Sequence, residues 1–108
     1  MKTGSFIVVF ITTSNESETR KIANALVKQK KAACVNIIPK VKSLFWWQGK
    51  IDSANESLLV IKSEKRLLND IIKLVKKFHS YTVPEIIALP IIGGNEDYLA
   101  WLSESLAK

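Results

Sequence analysis

Two side chains in this sequence could take part in soft-metal or nucleophilic chemistry, Cys34 and His79, each the sole residue of its type. Cys34 lies between Ala33 and Val35 in an apolar run, with no basic neighbour in sequence to lower its pKa. A small buried hydrophobe is the default for such a thiol; as a thiolate it is the ligand that copper and other soft metals prefer. His79 follows an amphipathic stretch and precedes Tyr81, Pro84 and Glu85, which places it near the surface as a helix-end cap, a solvated ring or a metal ligand. One histidine and one cysteine do not complete a four-coordinate site unless carboxylates join them. Glu56, Lys62, Tyr81 and Glu85 stand within or beside apolar runs, where charges are normally paired. A Lys62–carboxylate pair is the structural reading of these four. Gly93-Gly94-Asn95 opens a helix that could hold an anion, but Glu96 and Asp97 already occupy that favourable field.

Enzyme signatures are missing. The sequence has no phosphate-cradling glycine loop, nucleophile elbow or metalloprotease pattern. A Ser-His-Asp arrangement would have to use His79, and no serine or acid is placed by sequence to serve it. A non-enzymatic protein is expected.

The elements that must position these residues follow from periodicity. Residues 6–12 form a continuous apolar strand, and Ser14 or Asn15 caps a helix to residue 31 with Ile22, Ala25, Leu26 and Gln29 on its stripe. Strands are expected at 33–38, through the extended run to Trp47, and at 56–62, with a turn at Gln48-Gly49-Lys50 between them. A helix over 64–78 carries Leu67, Leu68, Ile71, Ile72, Leu74, Val75 and Phe78. Residues 85–92 are too short an apolar run for a helix and suit a strand, and Asn95 caps a last helix over 96–106. The fold class is therefore α+β: a ferredoxin-like βαββαβ sandwich with an extended β-hairpin and a C-terminal helix, in one domain over 1–108.

Two crossover helices cover only one face of such a sheet. The strands at 6–12, 56–62 and 85–92 are apolar at consecutive positions, so both of their faces should be buried. One short terminal helix cannot shield all of the second face, and something outside the chain must cover the rest. Alternation puts Val41, Phe45 and Trp47 on one side of the hairpin and Leu44 and Trp46 on the other. Leu44, Phe45, Trp46 and Trp47 are thus expected in a subunit interface, closed by symmetric assembly.

The net charge of +6 comes from lysines spread along the chain, 14 against 2 arginines. Lysines near helix ends complement the helix dipole, and a scattered distribution of this kind reads as a solvated surface, with no nucleic-acid partner expected. No run approaches a membrane span, and no membrane partner is expected. The N-terminus, MKTGS followed by FIVVFITT, has a short apolar run but no small-residue cleavage pattern and reads as a first strand rather than an export signal. A single cysteine points to the reducing cytoplasm.

Four segments together resemble the CutA divalent-ion-tolerance proteins. That family typically has Ala-Cys-Val-Asn-Ile-Ile-Pro, Trp-x-Gly-Lys, His-Pro-Tyr-x-Val-Pro-Glu-Ile-Ile-Ala-Leu-Pro and Tyr-Leu-x-Trp-Leu. Here these read AACVNIIP (32–39), WQGK (47–50), HSYTVPEIIALP (79–90) and YLAWL (98–102), in the same order and at family spacing. The resemblance implies a homotrimer with a PII-like arrangement, a role in divalent metal (copper) tolerance, and weak or indirect binding of copper or another divalent metal, for which His79 and Cys34 are the candidates. The likeness to PII signalling trimers implies an alternative, a small anionic metabolite held between subunits by Lys62, Tyr81, Glu85 and Glu56. Two departures stand out. Ser80 replaces the usual proline, and Ile11 and Phe78 stand where some proposed copper binders have a cysteine and a first histidine.

Overall fold

The fold was analysed in a computed structural model that describes residues 5–108. Segment 1–4, the start of the N-terminal stretch read as a strand rather than an export signal, lies outside the described residues. Four strands form one antiparallel sheet in the order β2-β3-β1-β4, with β1 at Phe6–Thr13, β2 at Cys34–Trp47, β3 at Lys50–Glu64 and β4 at Ile86–Pro90. Helix α1 (Glu16–Lys28) links β1 to β2, and α2 (Leu68–Phe78) links β3 to β4. Each helix therefore crosses over one intervening strand, the ferredoxin-like topology expected from the element order. A last helix, α3, spans Glu96–Glu104.

Alternation along the strands divides the sheet into two unlike faces. Ile7, Val9 and Ile11 of β1, with Leu59 and Ile61 of β3, meet Ile22 and Leu26 of α1 and Leu67, Ile71, Leu74 and Val75 around α2; all are buried. The opposite face carries Phe6, Val8 and Phe10, then Leu58, Val60 and Lys62, then Ile87 and Leu89. Helix α3 shields only the Phe6 end, burying Leu99 and Leu102 and bonding Glu64 through Ser103. Farther along that face Ile38, Ile87 and Leu89 are left 44%, 52% and 45% exposed.

Several boundaries differ from the sequence reading for local reasons. β3 begins at Lys50 rather than at residue 56, because the polar run Asp52–Glu56 pairs with the aromatic arm of β2 and needs no apolar alternation of its own. β2 is unbroken through Pro39. Ile38 pairs with Leu58 but Val41 with Glu56, so one extra residue bulges out where Pro39 offers no N–H and Lys40 takes φ 60°. The bulge exchanges the faces: Cys34, Asn36 and Ile38 lie on the open side, but beyond it Val41, Phe45 and Trp47 do. A two-residue turn with Gln48 at φ 50° and Gly49 at φ 77° closes the hairpin, the left-handed pair that matches strand twist.

The helices are shorter than expected. Lys65–Leu67 form a 3-10 turn ahead of α2, and Phe78 at its end is exposed rather than part of the apolar side. The inner stripe of α1 is Glu18, Thr19, Ile22, Ala23 and Leu26, with Gln29 outside. Asn15, not Ser14, is its cap, accepting from the Glu18 N–H.

Candidate functional site

His79 is the hinge of a buried polar network, not a surface ligand. Its side chain is fully buried, although the sequence placed it near the surface. The backbone leaves the helical conformation at this residue, the C-cap of α2, and turns the ring inward against the end of β1. Nε2 lies 2.6 Å from the Thr12 carbonyl oxygen, and the Tyr81 N–H donates to Nδ1 at 3.1 Å. A ring that accepts at Nδ1 carries its proton on Nε2, so both nitrogens are engaged by backbone. Glu18 Oε2 stands 3.8 Å from Nδ1, beyond hydrogen-bond reach.

Glu18 itself was not singled out by the sequence reading. Its carboxylate accepts from the Ser14 N–H at 2.9 Å, the Ser14 hydroxyl at 3.2 Å and the Ser80 N–H at 2.7 Å. It ties the start of α1 to the loop after α2. Burial alone would push its pKa up, but the bonds from Ser14 and Ser80 outweigh that and hold it below the ordinary 4.5. The available signal was Asn15-x-x-Glu18, a capping-box spacing. Here the glutamate turns its oxygens to Ser14 and Ser80 instead of to the cap's own N–H.

Next to this network Tyr81 donates to buried Glu56 at 2.9 Å. Burial first, then the bond to Glu56, pushes the phenol up to about 12. In an unfolded chain the same phenol ionises near its ordinary 10.0. The raised value of an acid group contributes stability that is full below pH 10 and is lost as the pH climbs from about 10 to about 12. We predict that Tyr81→Phe costs about 1–3 kcal/mol in urea unfolding, because it leaves the Glu56 carboxylate buried without its donor. Tyr81→Phe should also lose the highest-pH step of the phenolate absorbance titration; an unchanged titration would refute the pairing.

Cys34 and Lys62 occupy a separate place on the open sheet face. They are directly opposed across β2 and β3, with Lys62 Nζ 3.9 Å from Sγ. The thiol thus has a basic neighbour that sequence adjacency could not reveal. Lys62 also donates to the side-chain amide oxygen Oδ1 of Asn36, and it forms no ion pair with a carboxylate among the described residues. The expected Lys62–carboxylate pair does not form among the described residues of the chain, because the strand register gives Lys62 a thiol and an amide as neighbours. Tyr98 of α3 reaches Cys34 as well; burial, then this contact, raises its phenol.

The candidate ligands do not converge within the chain. Lys62, the partner of Cys34, pairs with Val8, whereas His79 bonds Thr12, four residues along β1 and about 13 Å away at strand rise. Ile11 is fully buried among aliphatic side chains and Phe78 points outward. No group of three or more His, Cys, Asp or Glu side chains suited to a cation occurs among the described residues. The residues present therefore do not fit a metal centre built from one chain. Of the residues expected to line an anion pocket between subunits, only Tyr81 and Glu56 meet within one chain. Lys62 lies six residues from Glu56 on β3, about 20 Å off, and Glu85 is exposed just before β4.

The largest feature is apolar. At the hairpin tip Leu44, Trp46 and Ile51 are 70%, 73% and 65% exposed, and Phe45 and Trp47 are 39% and 50% exposed on the other side. Trp46 opposes Ile51, and Phe45 opposes Asp52. Together with Phe10, Val60, Ile87 and Leu89, the tip leaves far more apolar surface in water than scattered side chains would.

Residues 7–105 match the family model of the CutA1 divalent ion tolerance protein. The chain is 47% identical to the chloroplastic CutA protein of Arabidopsis thaliana over 104 residues, which is 96% of this chain and 57% of that one. The chain thus spans little more than half the length of that plant relative. It is 47% identical to the divalent-cation tolerance protein CutA of Thermus thermophilus, over 91% of this chain and 95% of that one. The crystal structure of CutA1 from Oryza sativa superposes with a TM-score of 0.95 at 44% identity, covering all of this chain and 99% of the other. Since one relative is named as chloroplastic, kinship alone does not place this chain in the cytoplasm. An unbroken match over nearly the whole fold, with all four motifs on the elements described, makes this chain a member of the CutA1 divalent ion tolerance family.

Proposed function

We propose that the protein is a non-enzymatic homotrimer that supports tolerance of divalent metals, copper among them, with weak or indirect metal binding and no preformed metal centre in a single chain. The uncovered apolar surface carries this reading: the open sheet face and the hairpin tip need a partner of matching shape, and further copies of the chain supply one. Three copies is the number the family resemblance implies. His79 is committed to backbone and Cys34 is remote from it, which supports an indirect role with metals. The Ser14 hydroxyl bonds Glu18 and the Ser80 hydroxyl bonds Ser14, neither of them the imidazole, which supports a non-enzymatic role for His79. The single thiol favours a reducing compartment, the cytoplasm.

Native mass spectrometry of metal-free protein, before and after adding copper or zinc, tests both parts. A trimer with no stoichiometric ion is expected. Uptake of one or three ions that disappears in His79→Ala or Cys34→Ala would overturn the metal assignment. A monomer at micromolar concentration would overturn the assembly.

A further inference from the structure

The lysines that look scattered in sequence are gathered by the fold. Residues 16–31 and 64–78, the two helices and their ends, hold ten Lys and Arg against four Asp and Glu, and so carry the entire excess of +6. The other six bases and six acids cancel. Arg20, Lys21 and Lys28 on α1 and Lys73, Lys76 and Lys77 on α2 are all exposed. They lie on the helix sides opposite the buried Ile22, Leu26, Ile71 and Val75.

Carboxylates hardly interrupt this layer. Glu18 is buried, Asp70 is paired with Lys31 at 3.2 Å, and Glu64 is bonded to Arg66 and Ser103. Glu16, at the start of α1, is the remaining acid in these segments. Val27 and Phe78 are 45% and 42% exposed among the bases. The layer also faces away from the open sheet face on which the proposed assembly rests.

We propose that the α1–α2 layer is a docking surface for an anionic lipid bilayer. Two helices side by side on a sheet present a broad, shallow face with no groove to seat a duplex. The bases are mostly lysines, mobile point charges that suit diffuse negative charge, whereas base and phosphate readout favours the arginine fork. Single-stranded nucleic acid would need stacking platforms, and only Phe78 offers one on this layer. Val27 and Phe78 can enter the headgroup region while lysine stems lie flat and keep their ammonium groups at the phosphates. No helix among the described residues is long and apolar enough to cross a membrane, so the association is peripheral.

Sedimentation with phosphatidylcholine vesicles containing phosphatidylserine tests this on the full chain. The wild type should pellet with them in low salt, stay in solution with pure phosphatidylcholine, and be released by high salt. Lys73→Glu/Lys76→Glu/Lys77→Glu should weaken binding by at least about a hundredfold with an unchanged circular dichroism spectrum. The equal charge change Lys40→Glu/Lys42→Glu/Lys108→Glu should leave most of it. Failure of the wild type to pellet, equal losses in both variants, or binding to a single-stranded DNA oligonucleotide but not to vesicles would each overturn the proposal.

Discussion

A Trp46→Ala/Trp47→Ala variant is expected to sediment as a monomer at concentrations where the wild type forms the proposed trimer. Both indoles sit at the end of a hairpin that projects beyond the helices, in a molecule 45 Å long and about half as wide. They are 73% and 50% exposed, so at least half of each surface is still available to a partner. The tip is pre-organised: Trp47 pairs with Lys50 across the two-residue turn, and little conformational entropy remains to be lost on docking. A tryptophan in an interface core typically contributes at least about 2 kcal/mol. Losing both should weaken association by about a thousandfold. The fold of each chain should survive, because neither ring belongs to the core of Val9, Ile11, Ile61 and Leu26. Analytical ultracentrifugation decides the matter. Sedimentation indistinguishable from wild type would remove the hairpin from the interface.

Replacing Glu18 should have the largest effect on the stability of the chain itself. Glu18→Ala strands three donors, the Ser14 N–H and hydroxyl and the Ser80 N–H, and opens a polar gap beside His79. Bonds to a buried charged acceptor are worth about 1.5–3 kcal/mol each, so a loss of about 3 kcal/mol is expected after partial rescue by water. The acid limb of the stability curve should change too. Because the folded carboxyl titrates below 4.5, its contribution is full above that value and disappears as the pH falls through the folded pKa. Glu18→Gln should flatten this limb while keeping one acceptor oxygen. Urea midpoints at neutral and acid pH measure both effects. A Glu18→Ala midpoint within error of wild type would show that the network does not hold the loop.

The same network gives a reason for one departure from the family pattern. Proline at position 80 has no N–H, whereas Ser80 uses its N–H for Glu18 and its hydroxyl for Ser14, 3.0 Å away. This chain therefore gains a bond across the junction between the two helices that the usual residue cannot make.

Much of the architecture was legible from the residues because it depends on local pattern. Consecutive apolar positions over residues 6–12 marked a strand, and Asn95 and the pair Ser14-Asn15 marked helix starts. From the same reasoning came the uncovered second face and the aromatic hairpin. Whether a residue is buried is another matter. His79 read as a surface residue, since nothing within a few positions shows that Thr12 and Glu18 wait for it from the far ends of two other elements.

What this sequence determined by itself is the order and type of its elements, the apolar faces they must bury and, through four spaced motifs, its kinship; these need only side-chain period, turn chemistry and residue identity. Tertiary structure alone decided the neighbours. The strand register sets Lys62 against Cys34, the bulge at Pro39 and Lys40 turns Phe45 and Trp47 to the open side, and the side-by-side helices merge separate lysines into one basic layer. Charge interactions and hydrogen bonds depend on distance in space, and the chain brings these residues together only when the sheet has formed.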